Sequence, residues 1–153
     1  MENETGFTME RLTEMLQQKG IRPTAQRIAV LSAVANGRTH TSAEEIYRRL
    51  STVFRSLSRT TVYNSLGILV EHGVLRELEI EAGCWRYDLA GQAAHSHFVC
   101  RSCGCILDLP MPGGVAEGVD SQFDIDSVDI TYRGLCPQCR QKVQPNNKQT
   151  DRQ

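Results

Sequence analysis

Two Cys-x-x-Cys pairs constrain this chain more than any other sequence feature. Cys100 and Cys103 form the first pair, and Cys136 and Cys139 form the second. Two such pairs are typical of a tetrahedral structural zinc, which requires segments far apart in the chain to meet at one ion. The alternative is four unrelated buried cysteines, and the repeated spacing disfavours it. The pattern therefore predicts a zinc site that organises the C-terminal half of the fold.

Composition places the chain among soluble globular proteins. It has 153 residues, of which 40% are hydrophobic and 23% charged, enough for one ordinary domain or two small ones. No apolar run approaches the ~20 residues of a membrane span, and the N-terminus lacks the pattern of a signal peptide. We therefore predict a cytoplasmic protein with no membrane partner. In that compartment six cysteines favour metal binding or thiol chemistry over disulfides.

A second set of candidate ligands surrounds the first cysteine pair. His95 and His97 precede it in a His-x-His pattern, and Asp108 follows it. Imidazole and carboxylate together suit Fe(II) or Mn(II), whereas thiolates suit zinc. The alternative role for the two histidines is accessory zinc ligation. The segment 95–108 is therefore predicted to serve two chemically different metal sites.

Two further cysteines are harder to assign. Cys105 could replace one of the knuckle cysteines as a zinc ligand, but the repeated x-x spacing favours Cys100 and Cys103. Cys84 and Cys105 are therefore expected to be buried thiols. A redox role for Cys105 stays open.

The N-terminal half has the pattern of a winged helix-turn-helix domain. Apolar residues at helical spacing predict four helices, and Thr24, Ser42 and Ser58 are candidate N-caps. Residues 74–80 and 84–89 alternate as the two strands of a hairpin. Helices followed by a hairpin indicate a DNA-binding fold.

The fourth predicted helix is the candidate recognition helix. Between Lys19 and Asn64 there are eight basic and two acidic residues, a local charge of +6 on a chain whose net charge is -1. Such a basic region on a near-neutral protein suits contact with DNA. An ordinary solvated surface helix is the alternative. The candidate DNA-binding residues are Arg59, Thr60, Thr61, Tyr63 and Asn64.

The C-terminal half is predicted to be a small mixed domain with one sheet. Alternation predicts strands at 97–100, 105–109 and 125–132, and a short helix is possible at 115–123. The exposed edge and apolar face of this sheet would offer a homodimer interface. The predicted organisation is α+β, with a winged-helix DNA-binding domain at 1–89, a dimerisation and metal-binding domain at 90–143, and a disordered tail at 144–153.

In combination these motifs resemble the ferric uptake regulator family of bacterial metal-dependent repressors. The resemblance covers about residues 8–142 and is carried by the segment 59–63, the His-x-His and both cysteine pairs, in this order. It implies a homodimer on double-stranded operator DNA, with no catalytic residues. It also implies a regulatory iron or manganese site between the domains, in addition to the structural zinc. The implied regulatory ligands are His40, Asp88, His95, His97 and Asp108.

Details of the resemblance favour the peroxide-sensing branch of the family. Asp108 stands where iron-uptake regulators tend to carry Glu, and Asn64 stands where they often carry Arg. In that branch peroxide reacts at bound iron and oxidises a ligand histidine, which implies His40 or His95 here. An iron-responsive repressor without peroxide sensing is the nearest alternative. A zinc- or nickel-responsive regulator, a mononuclear iron enzyme and a zinc-containing adapter also remain open.

Overall fold

The chain divides into two compact units, Met1–Gln92 and Ala93–Gln153. The computed structural model describes residues 6–37, 40–81, 83–92, 95–115, 117–119, 121–125 and 128–143. Helices dominate the N-terminal unit, and a small sheet dominates the C-terminal unit. The predicted α+β fold class is therefore confirmed. The predicted disordered tail at 144–153 lies outside the described residues.

Four helices begin at hydroxyl-bearing N-cap residues. The side-chain oxygens of Thr8, Thr24, Ser42 and Ser58 each accept a hydrogen bond from a backbone N–H in the first turn. Ser42 forms a full capping box with Glu45. These caps fix where each helix starts. The helices are α1 (Met9–Gln18), α2 (Ala25–Ala35), α3 (Ala43–Leu50) and α4 (Arg59–Glu71).

The inner face of α4 packs into the core of the N-terminal unit. Val62, Leu66 and Leu69 are fully buried there, and α4 contacts both α2 and α3. Burial of this face leaves the opposite face of α4 in solvent. Val53 has the helical spacing of a buried residue of α3, but it is 74% exposed, because α3 ends at Leu50 and the chain turns before Val53.

A β-hairpin completes the N-terminal unit. β1 (Leu75–Glu81) pairs antiparallel with β2 (Cys84–Leu89), and Leu75 lies opposite Leu89. Gly73 ends α4 with a φ of +65°, a left-handed conformation that favours glycine. Thr41 forms an isolated antiparallel bridge with Tyr87. This bridge holds the segment before α3 against β2 of the hairpin.

The described residues of the C-terminal unit form a three-stranded sheet in the order β4-β3-β5. Its strands are β3 (His95–Cys100), β4 (Ile106–Pro110) and β5 (Thr131–Gly134), and the helix α5 (Pro137–Val143) follows. The central strand β3 is antiparallel to β4 and parallel to β5. The buried hydrophobic side chains among the described residues of this unit are Val99, Cys100, Ile106, Cys136 and Cys139. Three of these five are cysteines, so little apolar core exists apart from the thiols.

Two predictions for this unit need correction, and one helix was missed. The third strand was expected at 125–132 but starts at Thr131, where its pairing with β3 begins. Ile125 and Val128 were included in that expected strand, yet they are exposed and have no partner strand in the described sheet. Residues 115, 117–119 and 121–122 form turns and bends instead of a helix, and α5 was not predicted at all.

Candidate metal centres and nucleic-acid interface

The four paired cysteines meet in one cluster. One Sγ from each of Cys100, Cys103, Cys136 and Cys139 lies within 4.8 Å of the others. The Sγ atoms of Cys103 and Cys136 are 3.8 Å apart, far beyond a disulfide bond. Four sulfurs at ~2.3 Å from a tetrahedral zinc would be ~3.8 Å apart. The cluster therefore fits zinc in donor type, number and spacing.

Local backbone structure presents these sulfurs to one point. In the first pair, Cys100 ends β3 and Cys103 lies on the tight turn that follows, which Gly104 permits with a φ of +70°. In the second pair, Cys136 directly precedes α5 and Cys139 lies in its first turn. The Cys136 N–H donates to the Cys100 Sγ at 3.3 Å and joins the two segments.

Backbone donors stabilise the thiolate of Cys100. The N–H groups of Cys136 and Cys103 lower the pKa of the Cys100 thiol to about 5. A thiolate is the form that binds a metal ion. The site therefore favours the ligand form of this cysteine before any ion binds.

The two remaining cysteines differ from each other. Cys105 is half-buried, and its contact with Cys103, together with burial, raises the pKa of its thiol to about 12. Cys105 lies outside the four-sulfur cluster. Cys84 was expected to be buried but is exposed on β2. The alternation of strand residues did not reveal which hairpin face is solvated.

A second donor cluster lies on one face of the C-terminal sheet. His95 and His97 are two residues apart on β3 and so point to the same side, and His97 is directly opposite Asp108 on β4. The Asp108 Oδ1 is 3.8 Å from the His95 Nε2 and 3.9 Å from the His97 Nε2. Two atoms that bind one ion at ~2.1 Å each lie no more than ~4.2 Å apart. The three donors can therefore bind one ion together.

Burial of the histidines favours a defined site. The His97 side chain is 1% exposed and that of His95 is 14% exposed, whereas Asp108 is 60% exposed. The two imidazole rings meet edge to face, with centroids 4.8 Å apart. Packing thus fixes the imidazoles, and the carboxylate can adjust. Mixed nitrogen and oxygen donors suit Fe(II) or Mn(II) better than the thiolate cluster does.

The other two predicted regulatory ligands lie in the N-terminal unit. His40 is buried in the segment before α3, and its Nδ1 is 3.9 Å from the Asp88 Oδ2. Asp88 accepts a hydrogen bond from the Arg76 Nη2 at 2.9 Å and another from the Leu89 N–H at 2.8 Å. A metal bound by Asp88 would share that carboxylate with Arg76. The sequence did not indicate this partner, because only the register of the hairpin places Arg76 opposite Asp88.

The solvated face of α4 carries the candidate DNA-binding residues. Thr60, Tyr63 and Asn64 are exposed. The Thr61 Oγ1 lies 2.8 Å from the Ser58 Oγ, so this hydroxyl belongs to the helix cap. Arg59 is exposed and forms an ion pair with Glu44 of α3. The sequence identified Arg59 but not its partner, which is fifteen positions away.

A groove beside this helix adds a surface that sequence reasoning missed. It has a volume of about 280 Å³ and is bordered by Tyr63, Glu44 and residues 83–87 of the hairpin. The Trp85 side chain in this border is 45% exposed. Aromatic and charged side chains thus line the space between α3, α4 and the hairpin.

Among the described residues, no helix is long and apolar enough to cross a membrane.

Comparisons with known proteins agree on one family. The ferric uptake regulator family model matches residues 18–126. The peroxide-responsive repressor PerR of Staphylococcus aureus is 32% identical over 139 residues, which cover 88% of this chain and 93% of that protein. The structure of the Helicobacter pylori ferric uptake regulator Fur, which has three functional metal binding sites, matches with a TM-score of 0.71 and 26% identity, covering 87% of this chain and 94% of that one. A zinc uptake regulator complexed with zinc and DNA shares the fold, with a TM-score of 0.65 and 23% identity over 93% of this chain and 99% of that one.

Proposed function

Because the chain belongs to the ferric uptake regulator family, we propose that it is a metal-dependent repressor that senses hydrogen peroxide through a regulatory iron site. The observation that supports this most directly is the presence of two chemically distinct donor clusters in the C-terminal unit. One holds four sulfurs, and the other holds His95, His97 and Asp108. A protein that only needed structural zinc would have no use for the second cluster.

In this proposal the two clusters have separate tasks. The four cysteines bind structural Zn²⁺ and keep the C-terminal unit folded. His95, His97 and Asp108 join His40 and Asp88 to bind Fe²⁺ or Mn²⁺. Residues 1–89 bind operator DNA through α4, and residues 90–143 form the dimerisation and metal-binding part. Binding of the regulatory metal increases the affinity of the protein for DNA. The coupling free energy between two such binding events is typically ~1–3 kcal/mol.

Exposed apolar side chains support the homodimer. Phe123 is 69% exposed, and Val119 and Ile125 are about half exposed in the same unit. Apolar side chains concentrated in one small unit are commonly covered by another protein surface. A second copy of this chain would also bring two α4 helices to paired half-sites of DNA, ~34 Å apart.

The peroxide response follows from the donor set. Fe²⁺ bound by these residues would supply the redox chemistry that cleaves the O–O bond of hydrogen peroxide, and the ligand imidazole would be the net two-electron reductant. In the net reaction one oxygen atom adds to an imidazole carbon of His40 or His95, and the second leaves as water. The oxidised imidazole is a weaker donor, so the ligand set loses a member and the repressor leaves its operator. The alternative, an iron-responsive repressor, would lose metal through scarcity and keep its histidines intact.

Peroxide treatment of metal-loaded protein tests this proposal. We expect the iron form to gain 16 Da on the tryptic peptide 39–48 or 87–101 and to release DNA, and the manganese form to keep both its mass and its DNA. Neither peptide contains methionine, and the peptide 60–76, which contains His72, is an internal control. The readouts are peptide mass spectrometry after thiol alkylation and binding to duplexes selected by the manganese form.

Two results would oppose the proposal. Unmodified histidines in an iron-loaded protein that stays on DNA after peroxide would support the iron-responsive alternative. Absence of metal-dependent DNA binding in either loaded form would reject a repressor function altogether.

A further inference from the structure

Arg59 is held in a defined orientation at the start of α4. Its Nε donates to the Glu44 Oε2 at 3.0 Å and its Nη2 donates to the Glu44 Oε1 at 2.9 Å. Its guanidinium carbon lies 4.4 Å from the centroid of the Tyr47 ring. Isolated surface ion pairs contribute little, but two parallel hydrogen bonds and an aromatic contact fix both the position and the tilt of the group.

The pairing also affects the ionisation of both groups. The hydrogen bond from Arg59 lowers the pKa of the Glu44 carboxyl, and the same bond raises the pKa of the Arg59 guanidinium. Both side chains are therefore charged across the physiological pH range.

The edge of the guanidinium that contacts Glu44 decides what Arg59 can bind. The Nε and Nη2 atoms form one edge of the planar group, and Glu44 uses that edge. The other usable end of the group is formed by Nη1 and Nη2. Through this end an arginine can donate two hydrogen bonds, one to the O6 and one to the N7 of guanine. The Arg59 side chain remains 61% exposed, and it lies on the same helix as Tyr63 and Asn64.

From this geometry we infer that Arg59 reads a guanine base in the operator through its Nη1/Nη2 end, and that Glu44 and Tyr47 position it. The inference rests on the proposed function, in which α4 binds DNA. It adds a specific base and a specific mechanism: a carboxylate and an aromatic ring prepare the arginine before DNA arrives. A contact between Arg59 and a phosphate would need no such preparation and would carry no sequence information.

Selection of bound duplexes from a random-sequence pool tests the inference. Manganese-loaded wild type is expected to enrich guanine at one position of each half-site. Arg59→Ala should lose that preference alone and bind the selected duplex about 5- to 150-fold more weakly. Glu44→Gln should weaken the same preference, and it should have no further effect in an Arg59→Ala background.

Glu71→Gln provides the matched control, since it removes the same charge from the other end of α4. That end is ~18 Å away, beyond the ~8 Å screening length at physiological salt, so its selected sequence should equal that of wild type.

Several outcomes would overturn the inference. If Arg59→Ala weakens binding to every duplex by the same factor, keeps the wild-type sequence preference and lowers the salt slope by about one, Arg59 is a phosphate contact. Tighter binding by Glu44→Gln in both backgrounds, with the same sequence preference, would show that Glu44 merely repels DNA. Failure of wild type to select any sequence would instead reject the proposed function.

Discussion

Replacing Cys136 with serine is expected to release the structural zinc and unfold the C-terminal unit, while the N-terminal unit stays folded. Structural zinc contributes apparent binding energy of the order of 10 kcal/mol to the folding of small domains. Three of the five buried hydrophobic side chains in the described part of this unit are zinc-site cysteines. Loss of the ion would therefore remove most of what holds the sheet to α5.

The chain offers separate reporters for the two units. Its single tryptophan, Trp85, lies on β2 of the N-terminal unit, so its fluorescence should change little. Trypsin should cut Cys136→Ser rapidly at Arg101 and Arg133, and metal analysis should find no bound zinc. Cys84→Ser is the matched control, because that thiol is exposed and outside the cluster. A Cys136→Ser protein with full zinc content and wild-type protection would contradict the assignment.

Replacing Asp108 with alanine is expected to abolish activation of DNA binding by Fe²⁺ or Mn²⁺ without loss of zinc. Asp108 is the carboxylate that faces both His95 and His97. Its side chain is 60% exposed, so truncation should change the free energy of unfolding by ~0.5 kcal/mol or less. A coupling of ~1–3 kcal/mol means that metal strengthens wild-type DNA binding about 5- to 150-fold. In Asp108→Ala the DNA affinity should be almost the same with and without metal.

Titration of DNA with protein at fixed manganese measures this effect directly. Asp124→Ala is the matched control, since Asp124 is also exposed in the C-terminal unit and belongs to neither donor cluster. Zinc content and thermal unfolding should be unchanged in both variants. Full metal activation in Asp108→Ala would remove Asp108 from the proposed regulatory site.

The two expected results separate the clusters by their consequences. The thiolate cluster is predicted to control whether the C-terminal unit is folded. The histidine and carboxylate cluster is predicted to control whether a folded protein binds DNA. The physical basis is the difference in donors: thiolates bind zinc tightly, and nitrogen and oxygen donors leave room for exchangeable Fe²⁺ or Mn²⁺.

Short-range sequence patterns were sufficient for many elements. Hydroxyl residues before apolar helical stripes located the caps at Thr24, Ser42 and Ser58, because capping depends on residues only three positions apart. The repeated cysteine spacing likewise indicated which sulfurs would meet. The match to the ferric uptake regulator family confirms the resemblance that the motifs suggested.

Sequence patterns were less informative where strand pairing or burial depends on residues far away in the chain. Apolar residues from Ile125 to Tyr132 predicted a strand, but pairing with β3 begins only at Thr131, so Ile125 and Val128 lie outside the sheet. Cys84 was expected to be a buried thiol but is exposed, because strand alternation gives two faces without saying which one is covered. In each case the missing information was the neighbouring element.

The sequence alone identified the candidate metal donors, the starts of α2, α3 and α4, and the family, since each depends on residue chemistry or on spacing along one segment. The tertiary structure decided the charge partners: Arg76 for Asp88, and Glu44 for Arg59. These pairs join residues twelve and fifteen positions apart. Ion pairs of this kind depend on strand register and on how two helices pack, and neither can be read from the local sequence.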